Sequence, residues 1–153
     1  MLASCLDPDI RRWRRRPPAE PAAVDTYVGQ RARDWAEDRR LSWAVCPAVT
    51  GEMLGEVELS DLDLSMGTAE IACWVLPAAR GQGLVTTAVS ALLRFGFEGL
   101  GLHRLEYQWA DGNAASARVA EKCGFRYEGR KRSAWVADGQ RVDLLIAARL
   151  ADD

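Results

Sequence analysis

Hydrophobic positions in this chain follow a helical and a strand period by turns. From residue 24 to 39, Val24, Tyr27, Val28, Ala32 and Trp35 recur every three to four positions, which predicts a helix with one apolar stripe. Asp25 suits its first turn and Arg39-Arg40 its C-terminal end. Three strands are predicted next. Leu41 to Val49 is rich in strand formers and stops near Pro47. Glu52 to Leu59 sets Met53, Gly55, Val57 and Leu59 on one face, and Ala69 to Leu76 is mostly apolar, as a strand covered on both faces would be. Short joins containing Gly or Asp make the three an antiparallel meander.

The helical period returns from Gly83 to Phe97, where Val85, Ala88, Val89, Leu92 and Phe95 or Gly96 recur, and Gly99 and Gly101 end it. His103 to Trp109 reads as a strand and Asn113 to Cys123 as a short helix stopped by Gly124. Phe125 to Val136 and Arg141 to Leu150 read as strands joined by a turn at Asp138-Gly139. The order predicts an α/β (α+β) fold around one mixed sheet. Residues 1–23 read as irregular, because Pro17, Pro18 and Pro21 break helices and favour extended chain.

At 153 residues the chain suits a single domain over 1–153, with a basic, Pro-rich segment at 1–23 and a core at 40–150. A net charge of -2 gives no general attraction to nucleic acid or to an anionic membrane. The five arginines between Arg11 and Arg16 read as a solvated helix end, with a phosphate or an acidic partner as the alternative. Cys5, Cys46, Cys73 and Cys123 form no C-x-x-C pair, so neither a disulfide framework nor a zinc site is expected. No signal-like apolar segment and no run near the ~18 apolar residues of a membrane span occurs, which makes the cytoplasm the expected setting.

Chemistry concentrates at Trp74-Val75-Leu76-Pro77-Ala78-Ala79-Arg80-Gly81-Gln82-Gly83, a strand running into a helix. Glycines there let backbone N–H groups turn toward a ligand, and the helix start adds unpaired donors, the requirements of a phosphate or pyrophosphate site. Arg80 adds a cation. No Lys-Ser or Lys-Thr follows the glycines, which excludes a P-loop, and Thr86 stands where a dinucleotide fingerprint needs a third glycine. A tight turn without a ligand is the alternative. Asn113 stands at an N-cap position with Ser116 three residues on, which reads as a capping pair or as two polar groups facing a ligand. Gly124-Phe125 reads as a helix C-terminus.

Taken together, Glu70 to Leu76, Arg80-Gly81-Gln82-Gly83-Leu84, Leu102 to Glu106, Asn113 to Ser116 and Glu121 to Phe125 resemble the GCN5-related N-acetyltransferases (GNAT), closest to the branch acetylating ribosomal-protein N-termini. The resemblance covers residues 40–150 in order and spacing. It implies a GNAT-type, mostly antiparallel sheet flanked by helices, acetyl-CoA as acyl donor, no metal, and direct attack of a primary amine in a ternary complex with no acyl-enzyme. It assigns the pyrophosphate to Arg80, Gly81, Gln82, Gly83, Leu84 and Val85. The pantetheine arm falls to the backbone of Trp74, Val75 and Leu76 and to Asn113, and the thioester sulfur to Ser116. The acceptor is a small molecule or a protein N-terminus. Two departures stand out. Val85 replaces the family's usual Gly or Ala, and the family's first strand and most of its first helix are missing, Asp7 to Trp13 already looking like the end of that helix. A sheet without that strand has a bare edge, so a homodimer or marginal stability is expected. These departures also keep a non-catalytic acyl-CoA-binding or interaction module as the alternative.

An amine attacks only when neutral, so a proton acceptor is needed. Glu70, on the strand meeting the loop, is the catalytic carboxylate expected; Asp61, Asp63 and Glu106 are weaker candidates. Ser116 is the expected proton donor to the leaving thiolate, with Tyr107 and Tyr127 as others. The lone histidine, His103, reads as structural, at the strand end away from the ligand, and Trp35 and Trp135 are candidates to line a substrate cleft.

Overall fold

The computed structural model describes residues 7–14, 20 and 22–153; Cys5 and the prolines at 17, 18 and 21 lie outside them. Within the segment read as irregular, Pro8–Trp13 forms a helix, α1. Asp7 caps it by accepting from the Ile10 amide at 2.8 Å, and Pro8 presets the helical φ of its first turn. Then follow α2 (Ala23–Ala36), β1 (Leu41–Val45), β2 (Gly55–Asp63), β3 (Thr68–Val75), α3 (Leu84–Arg94), β4 (Arg104–Ala110), α4 (Ala114–Lys122), β5 (Arg126–Ala137) and β6 (Gln140–Leu150). The predicted order of helices and strands holds, with boundaries shifted by a few residues. β1 stops at Val45 because Cys46-Pro47 leads into a turn closed by Gly51 N–H on the Pro47 carbonyl. β2 runs past Leu59 to Asp63 through an irregularity at Asp61, whose φ is 49°. The last turn of α3 widens at Phe95–Gly99.

The sheet has the order β1-β2-β3-β4-β6-β5, and only β3 and β4 run parallel. That pair is short: Thr68 to Ile71 faces Arg104 to Tyr107, after which β3 continues to Val75 beside β2 and β4 to Ala110 beside β6 without pairing to each other. The sheet therefore opens into a cleft with Ile71 and Tyr107 at its vertex. Among the described residues β1 has one neighbour, β2, so its outer edge is free.

One face of the sheet carries the core. Leu59, Ile71, Leu105 and Tyr107 pack there under Val89, Leu92 and Leu93 of α3 and Ala120 of α4. The opposite face of β2 follows from the strand period. Val57 and Leu59 point to the core, so Glu56 and Glu58 point away. A helix covering that face needs cations more than methyl groups. Accordingly α2 docks by only part of its predicted stripe: Tyr27 reaches Glu56, joined by Arg31 from outside the stripe on Glu56 and Glu58, while Val28 and Trp35 are 50% and 42% exposed.

Candidate active site

Beyond Val75 the chain makes one tight turn, Pro77–Ala79, and passes through Gly81 (φ 75°) and Gly83 (φ 76°) into α3. Both glycines occupy the left-handed region that side chains rarely adopt. A Cβ added to either would meet no atom within 4 Å, so the space beside them is open. The Ala79 and Arg80 amides are bonded within the turn, and the Thr87 amide bonds the Gly83 carbonyl at 2.9 Å. Between them, the amides of Gly81 through Thr86 make no hydrogen bond among the described residues. A run of unpaired N–H groups at a helix start suits a pyrophosphate. Gln82 closes the loop through the Ala78 carbonyl at 3.2 Å. Arg80 is not a free cation: it pairs with Asp9 at 3.0 Å and Asp7 at 3.8 Å. Val85 is half-buried and packs on the core.

Beside the loop, β3 uses one edge to bond β2, pairing Trp74 with Glu56 and Val75 with Gly55. Its other edge, past Ile71, faces the cleft. Asn113 is the N-cap of α4, its side-chain oxygen accepting from the Ser116 amide at 3.1 Å. The Ser116 hydroxyl does not complete a capping box. It lies 2.9 Å from the Tyr107 hydroxyl, which lies 3.2 Å from the Cys73 thiol. Burial pushes that thiol up to about 11.

The carboxylates sort by geometry. Glu70 and Glu106 are neighbours in register across β3 and β4. The Gln108 amide donates to Glu70 at 2.9 Å and Glu106 at 3.4 Å. Arg104 grips Glu106 at 2.9 Å and Glu128 at 2.6 Å, and its hydrogen bonds hold Glu128 below its ordinary value. Asp63 is tied to Ser65 and Met66 in a turn near Thr68, far from the vertex, and Asp61 is exposed beside it. His103 lies exposed at the same end, its amide bonded to Gly67. Tyr127 is 59% exposed on β5, whereas Tyr107 stands at the vertex. Trp35 packs edge-on against Trp43 at 5.0 Å rather than in the cleft, and the Trp135 indole reaches the Arg12 carbonyl at 3.4 Å.

Two features escaped the sequence reading. α1 and the Arg14 that follows it reach several segments round the cleft mouth: Asp9 at the loop, Trp13 beside Gly112, Arg12 on Asp138 at 3.2 Å, and Arg14 over the Trp74 ring at 4.9 Å. Behind it lies Glu56, 4% exposed. It accepts from Tyr27 at 2.8 Å and the Trp74 indole at 2.8 Å and pairs with Arg31 at 3.3 Å and Arg14 at 3.6 Å. Burial, then the Glu56 charge, pushes Tyr27 up to about 12. The available signal was the Glu56/Glu58 alternation opposite Val57 and Leu59.

The model of the acetyltransferase (GNAT) domain matches residues 1–126. YdaF of Bacillus subtilis (strain 168), a candidate ribosomal N-acetyltransferase, is 31% identical over 136 residues, 85% of this chain and 72% of its own. Ribosomal-protein-S5-alanine acetyltransferase from Vibrio fischeri has a TM-score of 0.86 at 19% identity, covering 99% of this chain and 87% of its own; it speaks to the fold alone. The microcin C7 self-immunity acetyltransferase MccE, solved with acetyl-CoA and AMP, has a TM-score of 0.75 at 25% identity over 82% of this chain and 68% of its own.

Proposed function

Since the chain belongs to the acetyltransferase (GNAT) family, it moves acetyl from acetyl-CoA to an amine, and we propose that the amine attacks directly in a ternary complex with no acyl-enzyme. The observation that carries this reading is the run of unpaired amides from Gly81 to Thr86 beside a strand pair that parts at Ile71 and Tyr107. In it, Gly81 through Val85 hold the pyrophosphate by their amides, Arg80 being taken up by Asp7, Asp9 and the Pro77 carbonyl; the free edge of Trp74, Val75 and Leu76 pairs with the pantetheine amides, and Asn113 steadies the arm. Bound acetyl-CoA supplies the activated acetyl group as a thioester. Cys73, the thiol nearest the vertex, is held protonated by burial and is a poor nucleophile, which favours direct attack. Glu70 takes the amine proton, and Ser116 faces the departing sulfur. The acceptor is a primary amine of a small molecule or a protein N-terminus. A cytoplasmic setting and a homodimer formed on the free β1 edge belong to the same reading.

Thiol release measured across peptide N-termini, lysine, polyamines and amino sugars tests the proposal; at least one class is expected to release CoA in step with acetylated product. Release of CoA alone, or accumulation of acetylated protein as an intermediate, overturns it. Glu70→Gln is expected to lower turnover more at pH 7 than at pH 9. A lysine-type amine of reference pKa near ~10.4 has far more free base at the higher pH, where a protein base matters less. Ser116→Ala is expected to lower turnover at both. An unchanged pH–rate profile for Glu70→Gln removes Glu70 as the base.

Val85 packs inward, so its two methyls do not face the pyrophosphate. Val85→Ala is expected to lower stability by on the order of 1 kcal/mol through a small cavity and to leave the Kd for acetyl-CoA unchanged. A several-fold tighter Kd with unchanged Tm, by calorimetric titration and thermal melting, contradicts this.

A further inference from the structure

Tyr107 is 2% exposed, its ring packed on Phe125 at 5.2 Å and Trp109 at 6.2 Å. Phenylalanine would serve that packing equally well. The hydroxyl is therefore an added polar group in the core, and a buried hydroxyl needs partners. It has two, the Ser116 hydroxyl at 2.9 Å and the Cys73 thiol at 3.2 Å. Tyr107 is also the last β4 residue paired with β3, so this chain of groups ends at the vertex of the cleft.

We propose that Tyr107 is a positioning residue that donates to the Ser116 oxygen and so turns the Ser116 proton outward, toward the sulfur of the departing thiolate. The proposal rests on the reading of Ser116 as the group facing that sulfur. A serine hydroxyl has one proton and two acceptor sites. With Tyr107 filling one acceptor site, the proton is free for a ligand, and Ser116 is only half-buried. The Cys73 thiol fills the acceptor side of Tyr107, which gives one direction to the series Cys73, Tyr107, Ser116, sulfur, each bond polarising the next. Burial keeps both donors protonated. Cys123 and Glu58 are the other titratable groups this series feels, and burial raises both.

During transfer the amine lone pair forms the C–N bond and the C–S bond breaks with its electron pair ending on sulfur. The amine proton passes to Glu70 and on to solvent. Ser116 gives up no proton; its hydrogen bond stabilises the thiolate, which leaves as such.

Free CoA reports this without any acceptor. Its thiol has an ordinary pKa of about 8.5, and a donor aimed at sulfur favours the thiolate, so CoA affinity rises with pH. A one-unit fall of the bound thiol's pKa gives about a fivefold gain between pH 6.5 and 8.5. Calorimetric titration is expected to show that gain in the native protein, less than twofold in Tyr107→Phe and Ser116→Ala, and a partial gain in Cys73→Ala, which leaves the ring untouched. Acetyl-CoA, with no thiol to ionise, is expected to bind independently of pH in all four and shows that each is folded. A full gain in Tyr107→Phe and Cys73→Ala, with the gain lost in Ser116→Ala, overturns the role of Tyr107 and leaves that of Ser116. A full gain in Ser116→Ala, or none in the native protein, overturns both.

Discussion

Gly83→Val is expected to weaken acetyl-CoA binding by about a hundredfold or more, close to 2.8 kcal/mol. Two effects add at this position. Gly83 has a φ of 76°, and a β-branched residue there is strained by roughly 1–2 kcal/mol. That part is a stability cost and is paid with or without ligand. The second effect is specific to binding. The protein leaves the direction of a Gly83 Cβ open to 4 Å, beside the unpaired amides proposed to hold the pyrophosphate. Valine's methyls would stand in it. Gly101→Val separates the two effects, because Gly101 has a φ of 67° and the same open surroundings but lies between α3 and β4. Both variants are expected to lose similar stability, and only Gly83→Val is expected to lose the ligand-induced rise in Tm. In the native protein that rise corresponds to about 2.7 kcal/mol at a hundred times Kd. A native Kd in folded Gly83→Val removes the loop as the pyrophosphate site.

The loop's conformation was legible because backbone conformation is written in glycine positions. The left-handed turns at Gly81 and Gly83, the Asn113 cap and the Gly124 C-terminus each follow from a local residue preference, and each is where the sequence places it. The strand periods also named the core face of β2 correctly at Val57 and Leu59. Side-chain partners across the fold were not legible. Arg80 reads as a phosphate cation in sequence, yet the capped first turn of α1 sets Asp7 and Asp9 against it, contacts 71 residues apart in the case of Asp9. The α2 stripe held only in part, Tyr27 docking while Val28 stays exposed, for a related reason. Periodicity assumes an apolar surface beneath a helix, and β2 presents Glu56 and Glu58 there instead. Ser116 reads as a capping partner by spacing, but its hydroxyl turns to a tyrosine whose nearness depends on β4 reaching the cleft vertex.

Glu56 was invisible as a site residue and carries the other large effect. It joins four segments: the end of α1 through its C-cap Arg14, α2 through Tyr27 and Arg31, β2 by its backbone, and β3 through the Trp74 indole. Removing Glu56 leaves the Arg14 guanidinium without its carboxylate and Arg31 with Glu58 alone, and breaking a buried ion pair costs about 3–5 kcal/mol. Glu56→Ala is expected to lose that much in urea denaturation, a large share of the roughly 5–15 kcal/mol that holds a domain together. Glu56→Gln keeps an acceptor for Tyr27 and the indole but loses the charge facing two guanidiniums, and an intermediate loss is expected. The site should feel both changes. With the carboxylate gone, the Trp74 indole loses its acceptor, and Trp74 lies next to the end of β3, whose other edge faces the cleft. The KM for acetyl-CoA is therefore expected to rise in Glu56→Ala even where the folded fraction is restored by low temperature. A loss below about 1 kcal/mol would mean that Arg14 and Arg31 recover their hydration by swinging outward, and that α1 and α2 hold the cleft wall without this carboxylate.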